Sequence, residues 1–180
     1  MHLDIGQKVS YPSQGVCMVE DIENKKIGEN LMSVYLLRVL SDNSIIFVPT
    51  VNAENVGIRP IISSIQCKKL ITRLSADFEY VSCDWKSRSK QFGEQLRSGD
   101  VFEAADVLKK LTFLSREKKL SFREQTLLDK SKFLIISEIT NANAADEDSL
   151  SLQIDKLVGS ACNKHAVSQP KVMAVAAAVH

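Results

Sequence analysis

Between residues 6 and 58 apolar side chains recur at every second position in short runs, and each run stops at a turn-forming residue. Gly6-Gln7-Lys8-Val9-Ser10-Tyr11 alternates polar and apolar positions, the period of a strand with one face buried. Pro12-Ser13-Gln14-Gly15 supplies a turn, because proline fixes φ and glycine tolerates φ > 0. Val16-Cys17-Met18-Val19-Glu20-Asp21-Ile22 predicts a second strand. A hairpin at Gly28-Glu29-Asn30 leads into a third, residues 34–40, and Ser41-Asp42-Asn43 turns the chain into Ile45-Ile46-Phe47-Val48, which Pro49 ends. Asn55-Val56-Gly57-Ile58 predicts one more short strand.

From Ile61 the period lengthens. Ile65, Lys68/Lys69 and Ile71/Thr72 predict a helical stretch closing the first domain, and residues 75–83 read as a connection. Trp85, Phe92 and Leu96 then fall on one side of a helix that runs to about Arg97 and stops at Ser98-Gly99. Asp100 with Glu103 resembles a capping box for a helix whose stripe is Val101, Ala104, Ala105, Leu108 and Leu111. Ser121 with Glu124 repeats that start signal, and Leu127, Leu128, Leu134, Ile135 and Ile139 continue the stripe. Residues 115–120 predict a short turn of helix between the two. Three helices of this kind make a compact bundle.

Residues 141–148 read as a polar linker and residues 150–158 as a brief helix. The Ala-rich stretch 172–179 lacks a packing pattern, so the tail is expected to be partly mobile, with room for one docked helix. The expected organisation is α+β in two domains. A small β-barrel of the SH3 or Tudor kind covers residues 1–74, a connection 75–83, an all-α bundle 84–140 and a tail 141–180.

Composition places this chain of 180 residues among ordinary globular proteins, with 44% hydrophobic and 25% charged residues. The formal net charge is only +1, so attraction for a polyanion must come from local clustering. Residues 84–140 hold the positive excess, 12 Lys/Arg against 9 Asp/Glu, whereas residues 1–83 carry 8 against 9 and residues 141–180 carry 3 against 4. Residues 2–7 have neither the basic start nor the apolar stretch of a secretory leader, and no window matches a membrane span, so a cytoplasmic protein is expected. The four cysteines, Cys17, Cys67, Cys83 and Cys162, are far apart and are expected to be reduced and structural. The three histidines, His2, His165 and His180, lie at or near the ends, which disfavours a metal site.

The residue pattern disfavours catalysis. A glycine-rich phosphate loop ending in Gly-Lys-Ser/Thr is missing, and no histidine lies in the middle of the chain to act as a general base. Acid pairs such as Glu20/Asp21 sit on an expected strand, where solvation is the simpler role. The chemistry that stands out is Asp84-Trp85-Lys86-Ser87-Arg88-Ser89-Lys90, which contains the only tryptophan. A flat ring followed by cations suits nucleic acid: the cations neutralise phosphates and the ring wedges against or stacks on a base. The competing reading is that Trp85 packs into a core and the charges are solvated.

Several motifs together resemble the CarD/CdnL transcription regulators, whose first module also serves as the RNA-polymerase-interaction domain of the transcription-repair coupling factor. In the first module they are Gly6-Gln7-Lys8-Val9, Tyr11-Pro12-Ser13-Gln14-Gly15-Val16, Val48-Pro49-Thr50-Val51-Asn52 and Val56-Gly57-Ile58-Arg59. Trp85, Leu96-Arg97-Ser98-Gly99-Asp100 and Lys119-Leu120-Ser121-Phe122-Arg123-Glu124 extend the resemblance to about residue 140. Gln14 and Cys17 replace a histidine and a small residue often found in the family, and Phe47 stands where some members carry arginine. Ser87 likewise lacks a charge found in some members.

The resemblance implies a Tudor-like domain docked on the β subunit of bacterial RNA polymerase and a helical domain on promoter DNA. A nucleoid-associated monomer with no cofactor or metal is expected. The polymerase contact would use Ile45, Ile46, Phe47, Val48 and Pro49 with Lys25. Trp85 would enter the minor groove at the upstream edge of the transcription bubble, stabilising the open complex, while Lys86, Arg88 and Lys90 hold phosphates without reading sequence. An exposed strand edge offers backbone groups to a partner strand, with Phe47 as apolar anchor and Lys25 as steering charge. The alternative is an SH3/Tudor-like protein-binding adaptor that does not touch DNA.

Overall fold

The structure, a computed structural model, describes residues 2–28, 30–81, 84–143 and 146–168, apart from the side chains of Ile27 and Trp85. Five strands form one antiparallel sheet: β1 (Lys8–Tyr11), β2 (Gly15–Ile27), β3 (Asn30–Val39), β4 (Ile45–Pro49) and β5 (Arg59–Pro60). Their order is β4-β3-β2-β1-β5, so β4 and β5 are the edges. The two-residue period of the sequence sends Val9, Cys17, Val19, Tyr35, Leu37, Val39 and Val48 to one buried face, where Leu3, Ala53 and Ile58 complete a small core. A register shift between Val19 and Asp21 bends β2 across that core.

Two local expectations change. β2 continues past Ile22 because Glu23 to Ile27 pair with β3 across a ladder that contains Val34 and Met32, although the segment itself is polar. The strand expected at Asn55–Ile58 is instead a 3-10 turn (Thr50–Asn52) followed by α1 (Ala53–Val56), stopped by Gly57 at φ 87°. The Gly57 and Ile58 amides close that turn on the Glu54 and Ala53 carbonyls, and the pairing with β1 moves on to Arg59–Pro60.

Five helices follow: α2 (Ser64–Ser75), α3 (Trp85–Arg97), α4 (Val101–Glu117), α5 (Phe122–Asn143) and α6 (Glu147–Ser168). Ser63 with Gln66, and Ser121 with Glu124, form reciprocal capping boxes at α2 and α5. Asp84 caps α3 by accepting from the Lys86 and Ser87 amides. Asp100 accepts from the Phe102 amide, but Glu103 binds the Ser98 hydroxyl instead of completing a box. The expected short helical turn at residues 115–120 is largely the end of α4.

α2 does not close the first domain. Its Cys67, Leu70 and Leu74 join Phe92, Leu96, Leu108, Leu111, Ile135 and Ile139 in the helical core, while Ile65 points outward at 70% exposure. In the tail, the helix expected at residues 150–158 is longer, and it is docked. Leu150, Ile154, Val158 and Cys162 of α6 enter that core. Polar contacts then fix its far end: Lys164 Nζ donates to the Ser75 carbonyl (2.8 Å), and Asp77 receives His165 Nδ1 (2.8 Å) and the Ser168 hydroxyl (2.7 Å). The His165 ring stacks on Phe78 at 4.0 Å. The stripe was hard to read because Ser151, Gln153, Asp155 and Lys156 alternate with it. The Ala-rich stretch lies outside the described residues.

Sheet and bundle meet at a polar joint. Arg59 donates to both Glu138 oxygens (Nη1–Oε1 2.5 Å, Nη2–Oε2 2.9 Å) and also to the Gly99 carbonyl, and the Ile62 amide donates to the same carboxylate at 3.0 Å. The Val16 amide donates to the Ser137 hydroxyl, and Lys8 Nζ to Asn141. Gly57 from the sheet module and Gly99 from the bundle, φ 87° and 79°, both press on Pro12, whose Cγ would lie 3.1 Å from a Cβ at either site. The cavity between the modules is about 10 Å³, room for one water at most. The two modules are packed against each other, not tethered.

Candidate functional site

The sequence marks two surfaces, and the first is the β4 edge. Among the described residues no strand pairs on its outer side. Alternation splits its side chains: Ile45 and Phe47 are exposed, the latter at 48%, whereas Val48 is buried and Ile46 packs partly against the sheet core. Of the five residues expected to touch a partner, Ile45 and Phe47 present side chains. Val48 can offer only backbone, because its side chain is core. Pro49 is half-buried and lacks an amide hydrogen, so it closes the strand.

Lys25, on β2, reaches across β3 to this edge. Its Nζ stands 3.2 Å from the centroid of the Phe47 ring and 3.5 Å from Glu23 Oε2. The structure thus brings together two residues separated by 22 positions that the family resemblance had marked for one purpose. A cation seated on an exposed ring makes an amphipathic knob beside open backbone groups.

The second surface is the end of the bundle at which α3 begins. Arg88 in the first turn of α3 pairs with Glu124 in the first turn of α5, so the start of α3 and the α4–α5 turn share that end. Lys86 and Lys90 are exposed, four residues apart and therefore on one face, and Lys90 lies 4.0 Å from Glu94. Trp85 is the first residue of α3, and its side chain lies outside the described residues.

Arg88 is a correction. It points inward, is 2% exposed, and its Nη2 donates to Glu124 Oε1 at 2.5 Å. A guanidinium in that position cannot reach a phosphate without leaving a buried carboxylate behind. Burial pushes the Glu124 acid up, but Arg88 together with the Ser121 amide and hydroxyl outweighs this and holds it at about 2. Arg88 therefore fixes the first turn of α3 against the first turn of α5.

Other chemistry is sparse. Cys17, Cys67 and Cys162 are free and buried; burial, aided by the Asp42 charge, pushes the Cys17 thiol up to about 11. Burial raises the other two as well. Cys83 lies outside the described residues. Among the described residues no group of His, Cys, Asp and Glu could hold a metal ion, and no helix is long and apolar enough to cross a membrane.

Residues 3–62 match the family described as "CarD-like/TRCF RID domain", and residues 69–155 match "CarD, C-terminal domain". The chain belongs to the CarD family. The first matched segment ends just after β5 and the second begins within α2, close to where the two cores divide between Ile58 and Ile62. As a CarD-family chain it is a transcription factor of the kind that interacts with RNA polymerase. It is 27% identical over 135 residues, 75% of this chain and 88% of the relative, to "Putative transcription factor YdeB" of Bacillus subtilis (strain 168).

Much of what marks the family in this sequence builds the joint. Pro12, Gly57, Arg59 and Gly99 come from three separate motifs and converge with Glu138 between the modules. Sequence reasoning placed Gly57 in a short strand and Gly99 at the end of a helix, and gave Glu138 no role. The available signal was an arginine directly after a Gly-Ile turn and an acid inside the apolar stripe of α5, a position that requires a buried partner.

Proposed function

We propose that this CarD-family protein docks on the β subunit of bacterial RNA polymerase through the β4 edge and the Lys25–Phe47 pair. From there it stabilises the promoter open complex by placing Trp85 in the minor groove at the upstream edge of the bubble. Lys86 and Lys90 hold phosphates beside it, and Arg88 positions the helix that carries all three. The observation that carries the reading is the open β4 edge with Phe47 exposed and Lys25 seated on it. Strand addition supplies backbone hydrogen bonds, the ring an apolar anchor and the cation long-range steering.

The DNA step follows from differential binding. Inserting an aromatic ring into intact duplex costs a few kcal/mol of stacking, whereas at a bubble edge that stacking is already lost. The same ring therefore favours the open state, and a preference of about 1.4 kcal/mol shifts the open-to-closed ratio about tenfold. The protein acts as a binding factor at the nucleoid and carries out no reaction of its own.

Two substitutions test the two halves separately. Phe47 is half exposed, so Phe47→Asp keeps the fold, and it should abolish co-purification with the β subunit. Trp85→Ala should keep polymerase binding and shorten the lifetime of open complexes. Retained co-purification removes the docking surface, and equal lifetimes on several promoters remove the wedge.

A further inference from the structure

Phe122 is 91% exposed, the highest value among the described large apolar side chains. It is also held firmly. It opens α5 between Ser121 and Glu124, whose reciprocal capping box fixes the first turn, and Thr126 Oγ1 donates to its carbonyl at 3.0 Å. The Arg88–Glu124 pair then ties that turn to the first turn of α3. A phenyl ring is thus displayed at the bundle end where α3 begins and where Lys86 and Lys90 are exposed.

The surroundings of the ring decide what it suits. Lys118, Lys119 and Arg123 are exposed within four residues of it, and Glu124, the nearest acid along α5, is buried against Arg88. Glu117 is the exposed acid of the turn. An apolar knob meant for another protein surface is normally ringed by mixed polar groups, whereas an aromatic ring interleaved with cations matches a phosphodiester chain with a splayed base. Intact duplex hides its base faces, so only unpaired nucleotides can use the ring.

We propose that Phe122 is a second aromatic contact for DNA, stacking on an unpaired base of the melted strand while Lys118, Lys119 and Arg123 follow its phosphates. The proposal rests on the open-complex reading above and adds a separate single-strand contact to it. Trp85 acts at the junction, and Phe122 engages a base that has already left the stack.

The test compares the full-length protein with Phe122→Ala, Phe122→Tyr, Lys119→Ala and Trp85→Ala, binding to a forked DNA with an unpaired arm and to a plain duplex at low salt. The wild-type protein should prefer the fork. Phe122→Ala should weaken fork binding about tenfold, leave duplex binding unchanged, and be rescued by Phe122→Tyr. Lys119→Ala should weaken both DNAs and lower the salt slope by about one. Fork binding unchanged in Phe122→Ala but weakened in Trp85→Ala overturns this contact and leaves the wedge standing. Wild-type protein without a fork preference overturns both. A Phe122→Ala protein with normal fork affinity but altered oligomeric mass or polymerase affinity assigns the ring to a protein surface and likewise overturns the proposal.

Discussion

Substituting either member of the Arg88–Glu124 pair distinguishes a structural arginine from a phosphate ligand. Both side chains are buried, and Glu124 also completes the cap of α5, so Glu124→Gln keeps the cap geometry while leaving the guanidinium without its counter-charge. Breaking a buried ion pair from one side costs about 3–5 kcal/mol. For a chain of this length each kcal/mol lowers the melting temperature by roughly 2–4 °C, so a loss of about 6–20 °C is expected. Arg88→Met should cost a similar amount, since it strands the carboxylate. Arg88→Met combined with Glu124→Gln should recover a large part, because no buried charge is then left unpaired. The assay is denaturant unfolding of all three proteins, paired with the salt dependence of DNA binding for the double variant. With Lys86 and Lys90 intact, their part of that slope stays near −0.9 × 2, about −2. An Arg88→Met protein that unfolds within about 0.5 kcal/mol of wild type, yet loses about one unit of salt slope, would show that Arg88 contacts phosphate and refute the argument.

Two further outcomes follow from the same buried charges. Glu124 is held at about 2 in the folded protein, below its ordinary value of 4.5, so its contribution is present above pH 4.5 and is lost as pH falls toward 2. The shift corresponds to on the order of 3 kcal/mol; acid unfolding followed by circular dichroism should show that loss in the wild type and a smaller one in Glu124→Gln. Arg59→Ala leaves Glu138 buried at the joint and should cost about 3–5 kcal/mol while keeping the β4 edge intact. Polymerase pull-down should therefore persist as open-complex stabilisation falls, and an unchanged open-complex lifetime would sink the coupling role of the joint.

Periodicity was enough for the strands because each lies on one buried face, and it was enough for α3 to α5 because their stripes are continuous. It failed at Asn55–Ile58, where a helical turn stopped by Gly57 mimics a short strand. It found helices at α2 and within α6 but not their place in the fold, because their stripes are buried in the core of the bundle, a packing that no local period shows. Lys25 and Phe47 could be marked individually, but their contact depends on the twist of a three-strand path. Arg88 was misassigned because three cations at alternate positions look equivalent in a strand-like count. On a helix, i and i+4 share a face and i+2 lies opposite, so Lys86 and Lys90 turn outward while Arg88 turns in.

On the function proposed above, the joint would set how energy gained at the polymerase reaches the DNA. Were the modules linked by a flexible chain, docking would only confine the helical end within the reach of that chain, at a modest effective concentration. Here Arg59 grips Glu138 and the Gly99 carbonyl, Ser137 receives the Val16 amide, and two positive-φ glycines close on Pro12. In the proposed complex a docked sheet would therefore hold α3 at a fixed place and angle, and the orientational cost of presenting Trp85 would be met once, when the sheet module binds. The ring and its neighbouring lysines then need no strong affinity of their own. An intrinsic preference for open over closed DNA of one or two kcal/mol, too weak to measure on free promoter fragments at physiological salt, is enough to move the equilibrium by one order of magnitude once the sheet is anchored. On the proposed function the same rigidity would let a nearly neutral chain act on DNA: the anchor would supply proximity, and only the end of the bundle would have to be basic.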